Sequence, residues 1–166
     1  MTGEPNLFET AQCLCLASRR AARAITRRFE AALRPHGIKA TQFTLLAALA
    51  LKGPQPIGAL AEFIGLDRTT LTRNLAVAAE QSLVRIVSGE DGRARVASIT
   101  ARGRKTLRRA FSAWRETQHE LTNAVGVAAA DSLRRLSRKP PVRNGSRAYM
   151  TGSTGQPARI QRMIAP

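Results

Sequence analysis

For most of its first 138 positions this chain repeats apolar residues at the three-and-four spacing of amphipathic helices. Leu7, Ala11, Leu14, Ser18, Ala22, Ile25, Phe29 and Leu33 form one stripe of apolar or small residues, which predicts a single long helix over 7–34. Pro35, His36 and Gly37 end it. Thr41 is placed to cap a second helix carrying Phe43, Leu45, Leu46, Leu49 and Leu51, and Gly53-Pro54 breaks the chain after it. Pro56 stands where the first turn of a third helix begins. That helix holds Ile57, Leu60, Ala61 and Ile64 and stops at Gly65. Asp67 is a good N-cap for a fourth helix, 68 to about 82, with Leu71, Leu75, Ala78 and Ala79 on its inner face.

The pattern then changes period. Leu83 to Val87 and Ala94 to Ile99 read as two short strands around the polar turn Ser88-Gly89-Glu90-Asp91-Gly92, a hairpin. Thr100 caps a fifth, long helix with the stripe Leu107, Phe111, Trp114, Gln118, Leu121 and Val125. A last helix over about 127–138 offers Ala130, Leu133 and Leu136. Residues 140–166 contain no acid, four Arg, four Pro and three Gly, with neither period, and read as a disordered basic tail. Such a tail is either a passive extension or an added source of non-specific DNA affinity.

The predicted fold class is mainly α with a small β-hairpin. Residues 1–139 form one domain, with a core over about 41–100 and flanking helices over about 7–34 and 101–138. Within the core, Ala61, Gly65 and Leu71 supply the needs of a helix-turn-helix. These are a small residue at the crossing, a permissive residue in the turn, and an apolar anchor on the second helix. Small residues and glycines are common, so the pattern alone would also suit a plain helical hairpin. The hairpin with basic residues at its tip makes the context a winged helix.

Charge points the same way. There are 27 Lys+Arg against 11 Asp+Glu, a formal +16, so polyanions are the natural partners. A recognition helix enters the major groove by its N-terminal end. Here that end carries Arg68, Thr69, Thr70, Thr72 and Arg73, away from Leu71 and Leu75. Arginine can bond a guanine edge through two donors, and threonine can meet bases, a thymine methyl or phosphates. The wing carries Asp91, Arg93 and Arg95. An arginine at a hairpin tip can enter a narrow A/T minor groove, with Asp91 holding the Arg93 guanidinium in pose. As an ordinary exposed turn, the same pair would contribute only ~0–1 kcal/mol.

These residues, in this order, resemble the MarR family of bacterial transcriptional regulators. The matching stretches are ATQFTLLAAL (40–49), IGALAEFIGLDRTTLTRNL (57–75), LVRI (83–86) and EDGRARVASITARGR (90–104). The last holds the wing pattern of Asp91, Arg93, the Ile99-Thr100 pair and Gly103. The resemblance spans about residues 7–138. It implies a winged-helix homodimer that binds double-stranded DNA at a near-palindromic operator, usually represses, and is released by a small molecule or oxidant. It also implies that the first and last helices form the dimer interface. That agrees with apolar stripes longer than a monomer of this size needs. The competing reading of +16 is a non-specific nucleic-acid packager, which leaves the wing and the stripes without a role.

Cys13 and Cys15 are the only cysteines, so a disulfide scaffold within one chain is excluded; on a helix, residues two apart point in divergent directions. Some relatives sense hydroperoxides through a cysteine in this region, which makes the pair redox candidates. The peroxide-sensing branch places tyrosines nearby, whereas the sole tyrosine here is Tyr149, and two small apolar helix residues is the plainer account. In the family, effectors often settle between the dimer helices and the winged helix, where Phe29, His36, Phe43 and Trp114 are candidate lining residues. Each has an ordinary packing role as its alternative. No metal site and no cofactor are expected. Paired carboxylates, a Ser/His/Asp set and a GxxxxGK loop are all missing, so an enzyme is not expected. No apolar run reaches a membrane span, and Met1 to Glu9 is no secretory signal, which leads to the cytoplasm as the expected compartment.

Overall fold

In a computed structural model of the chain, residues 7–89 and 94–138 are described. Asp91, Arg93, most of the wing turn and the 140–166 tail lie outside the described residues. A 3-10 segment, Leu7–Gln12, precedes α1 (Leu14–Leu33), and a 3-10 turn, Arg34–His36, follows it. Then come α2 (Ala40–Lys52), β1 (Gln55–Pro56), α3 (Ile57–Ile64), α4 (Arg68–Glu80), β2 (Val84–Ser88), β3 (Arg95–Ile99), α5 (Ala101–Val125) and α6 (Val127–Arg138).

The long first helix is therefore interrupted. Cys13 is extended, at φ −61° and ψ 116°, and α1 starts only after it. Upstream, the Thr10 hydroxyl bonds back to the Leu7 carbonyl at 2.6 Å, the kind of local bond that competes with helix. The second helix starts one residue ahead of Thr41, with Lys39 at its N-cap position. The Gln42 side-chain oxygen accepts the Lys39 N–H at 3.0 Å, and Glu30 of α1 accepts the Ala40 N–H at 3.0 Å. Pro56 precedes the third helix rather than opening it. It belongs to β1, which pairs antiparallel with β3 (Gln55 opposite Ala97, Pro56 opposite Val96). The hairpin is thus part of a three-stranded sheet in the order β1-β3-β2. On this short outer strand the missing proline N–H costs no ladder bond.

One core joins these elements. Leu33 of α1, Leu45, Leu46 and Leu49 of α2, Leu60 of α3, and Leu71 and Leu75 of α4 are its largest fully buried side chains. Each contributes roughly 1.5–3 kcal/mol by leaving water. Leu83, Val84, Ala97 and Ile99 bring the sheet into the same cluster. The flanking helices behave differently. In this single chain Leu14 is 84% exposed and Leu136 67%, and Val125, Val127 and Leu133 are each more than half exposed. The residues α5 buries include Ala110 and Thr117, which lie beside its predicted stripe; of that stripe Leu107 and Trp114 are half-buried and Phe111 is exposed.

Candidate nucleic-acid interface

The helix-turn-helix is built as its sequence implies. Ala61 is 5% exposed at the crossing of α3 and α4. Gly65 takes the left-handed conformation at φ 75°, and the N–H groups of Gly65 and Leu66 both bond to the Ala61 carbonyl. A side chain with a Cβ would be strained at that φ. Leu71 and Leu75 are wholly buried and fix the rotation of α4. Arg68, Thr69, Thr72 and Arg73 consequently stand exposed, and Thr70 is half-buried.

Asp67 caps this helix. Its Oδ1 accepts the Thr70 N–H at 2.8 Å and its Oδ2 accepts the Thr70 hydroxyl at 2.6 Å. The Thr72 hydroxyl donates to the Arg68 carbonyl at 2.7 Å. Two of the three threonine hydroxyls therefore already donate within the helix, and binding to DNA from either needs that bond exchanged. The Thr69 hydroxyl makes no such bond. Among the described residues the sole ion pair is Arg134–Asp131, so no carboxylate there neutralises Arg68, Arg73 or Arg95. Arg95 is exposed at the start of β3, opposite Ser88 of β2. Arg85, within the LVRI stretch, is exposed on β2 and adds a further cation to the wing.

The Thr70 hydroxyl, and then its N–H, hold the Asp67 carboxyl below the usual aspartate range. A depressed folded-state value means that the cap stabilises fully above the unfolded-state value. It is lost as pH falls through the folded one. Asp67→Ala should therefore fray the start of α4, and its stability deficit should be largest at neutral pH and shrink on acidification. Circular dichroism melts at neutral and acidic pH check this. A pH-independent deficit would mean that the carboxylate form is not what caps the helix.

Three of the four candidate effector residues come together. Phe29, Phe43 and Trp114 line an apolar cleft of about 320 Å³ between α1, α2 and α5, with Phe43 and Trp114 stacked 5.5 Å apart. His36 is not among its lining residues. Thr26, Thr41, Thr44 and Gln118 add neutral polar groups that the sequence does not reveal, since only the packing of three helices assembles them. Cys13 and Cys15 are both exposed thiols. Because Cys13 precedes α1, the helical geometry expected for the pair does not apply to it. Among the described residues no cluster of metal-ligating side chains occurs, and no helix is long and apolar enough to cross a membrane.

A sequence model of the MarR family matches residues 36–94, from the 3-10 turn through the wing turn. The M. tuberculosis transcriptional regulator MosR, in complex with DNA, is 40% identical, with 75% of this chain and 93% of that chain covered and a TM-score of 0.69. MosR in a second structure is 37% identical, covering 76% and 94%, again with a TM-score of 0.69. MarR of E. coli complexed with operator DNA is 19% identical and shares the fold, covering 80% and 96% with a TM-score of 0.69. No curated protein sequence matches the chain.

Proposed function

Since this chain belongs to the MarR family of DNA-binding transcriptional regulators, we propose that it binds a near-palindromic operator as a homodimer. In this reading it represses from that site and is released by a small-molecule or oxidant signal. The observation that carries the reading is the outward face at the start of α4, where Arg68, Thr69 and Arg73 stand exposed on a helix fixed by Leu71 and Leu75, the two arginines without a carboxylate partner among the described residues. Arg73 and Thr69 meet base edges. Arg68 serves phosphates, and the hydroxyls of Thr70 and Thr72 reach DNA only by exchanging the bonds they make within the helix. On the wing, Arg93 and Arg95 take the flanking minor groove, with Asp91 orienting Arg93.

The exposed Leu14, Val125, Val127, Leu133 and Leu136 support dimerisation, because a second copy would bury these stripes. Two recognition helices would then sit about 34 Å apart, one turn of DNA. The cleft beside Trp114 suits an effector that is aromatic and uncharged, since no charged side chain lines it. Cys13 and Cys15, as exposed thiols, are open to an oxidant.

Selection of bound duplexes from a random pool tests the central claim. It should return one motif with two-fold symmetry and half-sites about 10 base pairs apart, preferred over random duplex by ~10³-fold or more. Uniform recovery of sequences would instead identify a non-specific packaging protein.

A further inference from the structure

The junction of α1 and α2 carries a second cleft, of about 540 Å³, which differs from the first in being lined by charged side chains. Its rim holds Arg27 of α1, Arg34 of the 3-10 turn and Lys39 before α2, and Glu30 is the one acid lining it. Three cations against one carboxylate leave a local excess of two positive charges. The Glu30 Oε1 already accepts the Ala40 N–H, and among the described residues no ion pair neutralises any of the three cations.

A bridge of two carboxamides, from buried Gln42 to exposed Gln81, also lines it. Gln42 is 4% exposed, and its Nε2 donates to the Oε1 of Gln81 at 2.8 Å. One N–H of Gln42 and both of Gln81 remain beyond that bond as donor capacity. Ala31 and Ile38 add apolar wall. Operator DNA is the wrong occupant. Gln81 follows the C-terminal end of α4, and the 13 residues of that helix put it about 20 Å from the end bearing Arg68.

We propose that this cleft binds a small organic phosphate monoester. Its phosphate is held by Arg27, Arg34 and Lys39, and its organic part lies against Ala31 and Ile38. Guanidinium forks match phosphate oxygens, and the local excess complements a group carrying about −1.5 to −2. A ligand there touches α1, the start of α2 and the far end of α4 together. It thereby links the flanking helix to the recognition helix, a consequence that rests on the DNA-binding reading, whereas binding itself does not.

Calorimetric titration of the full chain with phenyl phosphate, without DNA, separates the two. Saturable one-site binding is expected, with no competition from phenol. Arg27→Gln with Arg34→Gln should weaken it about tenfold or more at an unchanged thermal midpoint, because both side chains are exposed. Arg104→Gln with Arg108→Gln, on exposed positions of α5, should change it by no more than about twofold. Equal losses in the two double variants would reveal a diffuse response to the +16 charge and overturn the site, as would undiminished binding in the first variant or none in the parent. Inorganic phosphate should compete more weakly, and equal affinity would overturn the organic part of the assignment. Saturating phenyl phosphate should move operator affinity by about fivefold or more. If binding holds while operator affinity stays fixed, the link to α4 is overturned and the site itself is upheld.

Discussion

Gly103→Ala should lower the thermal midpoint by roughly 10 °C, a loss of about 3 kcal/mol or more. The cause is the join between α5 and the start of the wing. The Thr100 N–H donates to the Leu83 carbonyl at 3.1 Å, and the Thr100 hydroxyl donates to the Ser82 carbonyl at 2.7 Å. The same hydroxyl oxygen accepts the Gly103 N–H at 2.9 Å and so caps α5. This draws the first turn of α5 onto the backbone of Leu83. A Cβ on residue 103 would overlap the Leu83 carbonyl oxygen and press on Ile99 Cγ1 at 2.9 Å. The oxygen is main chain and cannot swing aside, so relief requires α5 to lift and the Thr100 bonds to break. Gly58 of α3 is the control. Nothing lies within 4 Å of a Cβ there, and alanine in that helix should be neutral or stabilise by about 0.5–1 kcal/mol. Thermal unfolding followed by circular dichroism compares the two. Similar melting of both variants would mean that the close approach at Gly103 does not limit stability.

Gly103 is legible because its spacing from Ile99-Thr100 is part of a motif, although the carbonyl it accommodates is twenty residues upstream. The helix-turn-helix is legible for a local reason. Ala61, Gly65 and Leu71 act within one short stretch, and the turn forms as their side chains dictate. Asp67 and Thr100 behave as N-caps for the same reason, since each bonds an N–H three residues on. Where tertiary partners take over, local propensity fails. Thr41 is the better cap by residue type, yet α2 begins at Ala40 because Glu30 reaches across from α1 for that N–H. β1 has two residues, too few for any period, and exists because β3 is beside it.

The end of α4 shows the same limit. Ser82 adopts a left-handed φ of 57° where glycine would be the usual signal. It is held there by the Leu83 N–H bonding to the Ala78 carbonyl at 2.8 Å and by the Thr100 hydroxyl from 18 residues away. The candidate interface divides likewise. The identity of Arg68, Thr69 and Arg73 as an outward set follows from the helical period. That Thr70 and Thr72 already donate inward depends on hydroxyl rotamers that no periodicity encodes. The basic cleft is illegible in the sequence because Arg27, Lys39 and Gln81 meet only through the packing of α1, α2 and α4.

Arg73→Ala should cost about 1–3 kcal/mol on the selected operator and much less on random duplex. Arg73 lies in the second turn of α4, midway along the chain between the wholly buried Leu71 and Leu75, so the helix turns it to the opposite face, where it is exposed. Lacking a carboxylate partner among the described residues, its guanidinium has no competing ion pair to leave when DNA arrives. A bidentate bond to a guanine edge disappears entirely on truncation, so the loss should concentrate at one base-pair position in each half-site. Replacing that base pair in the operator should then cost the parent protein a similar amount and the variant little, as a double-mutant cycle reads it. Salt dependence supplies the opposing signature. An arginine bound to phosphate releases counterions, so its removal would reduce the slope of log affinity against log salt by about one for each phosphate no longer neutralised. Equal losses on operator and random duplex, together with that shallower slope, would reassign Arg73 from reading sequence to gripping the backbone, and base recognition would then fall to Thr69 and its neighbours on the same face.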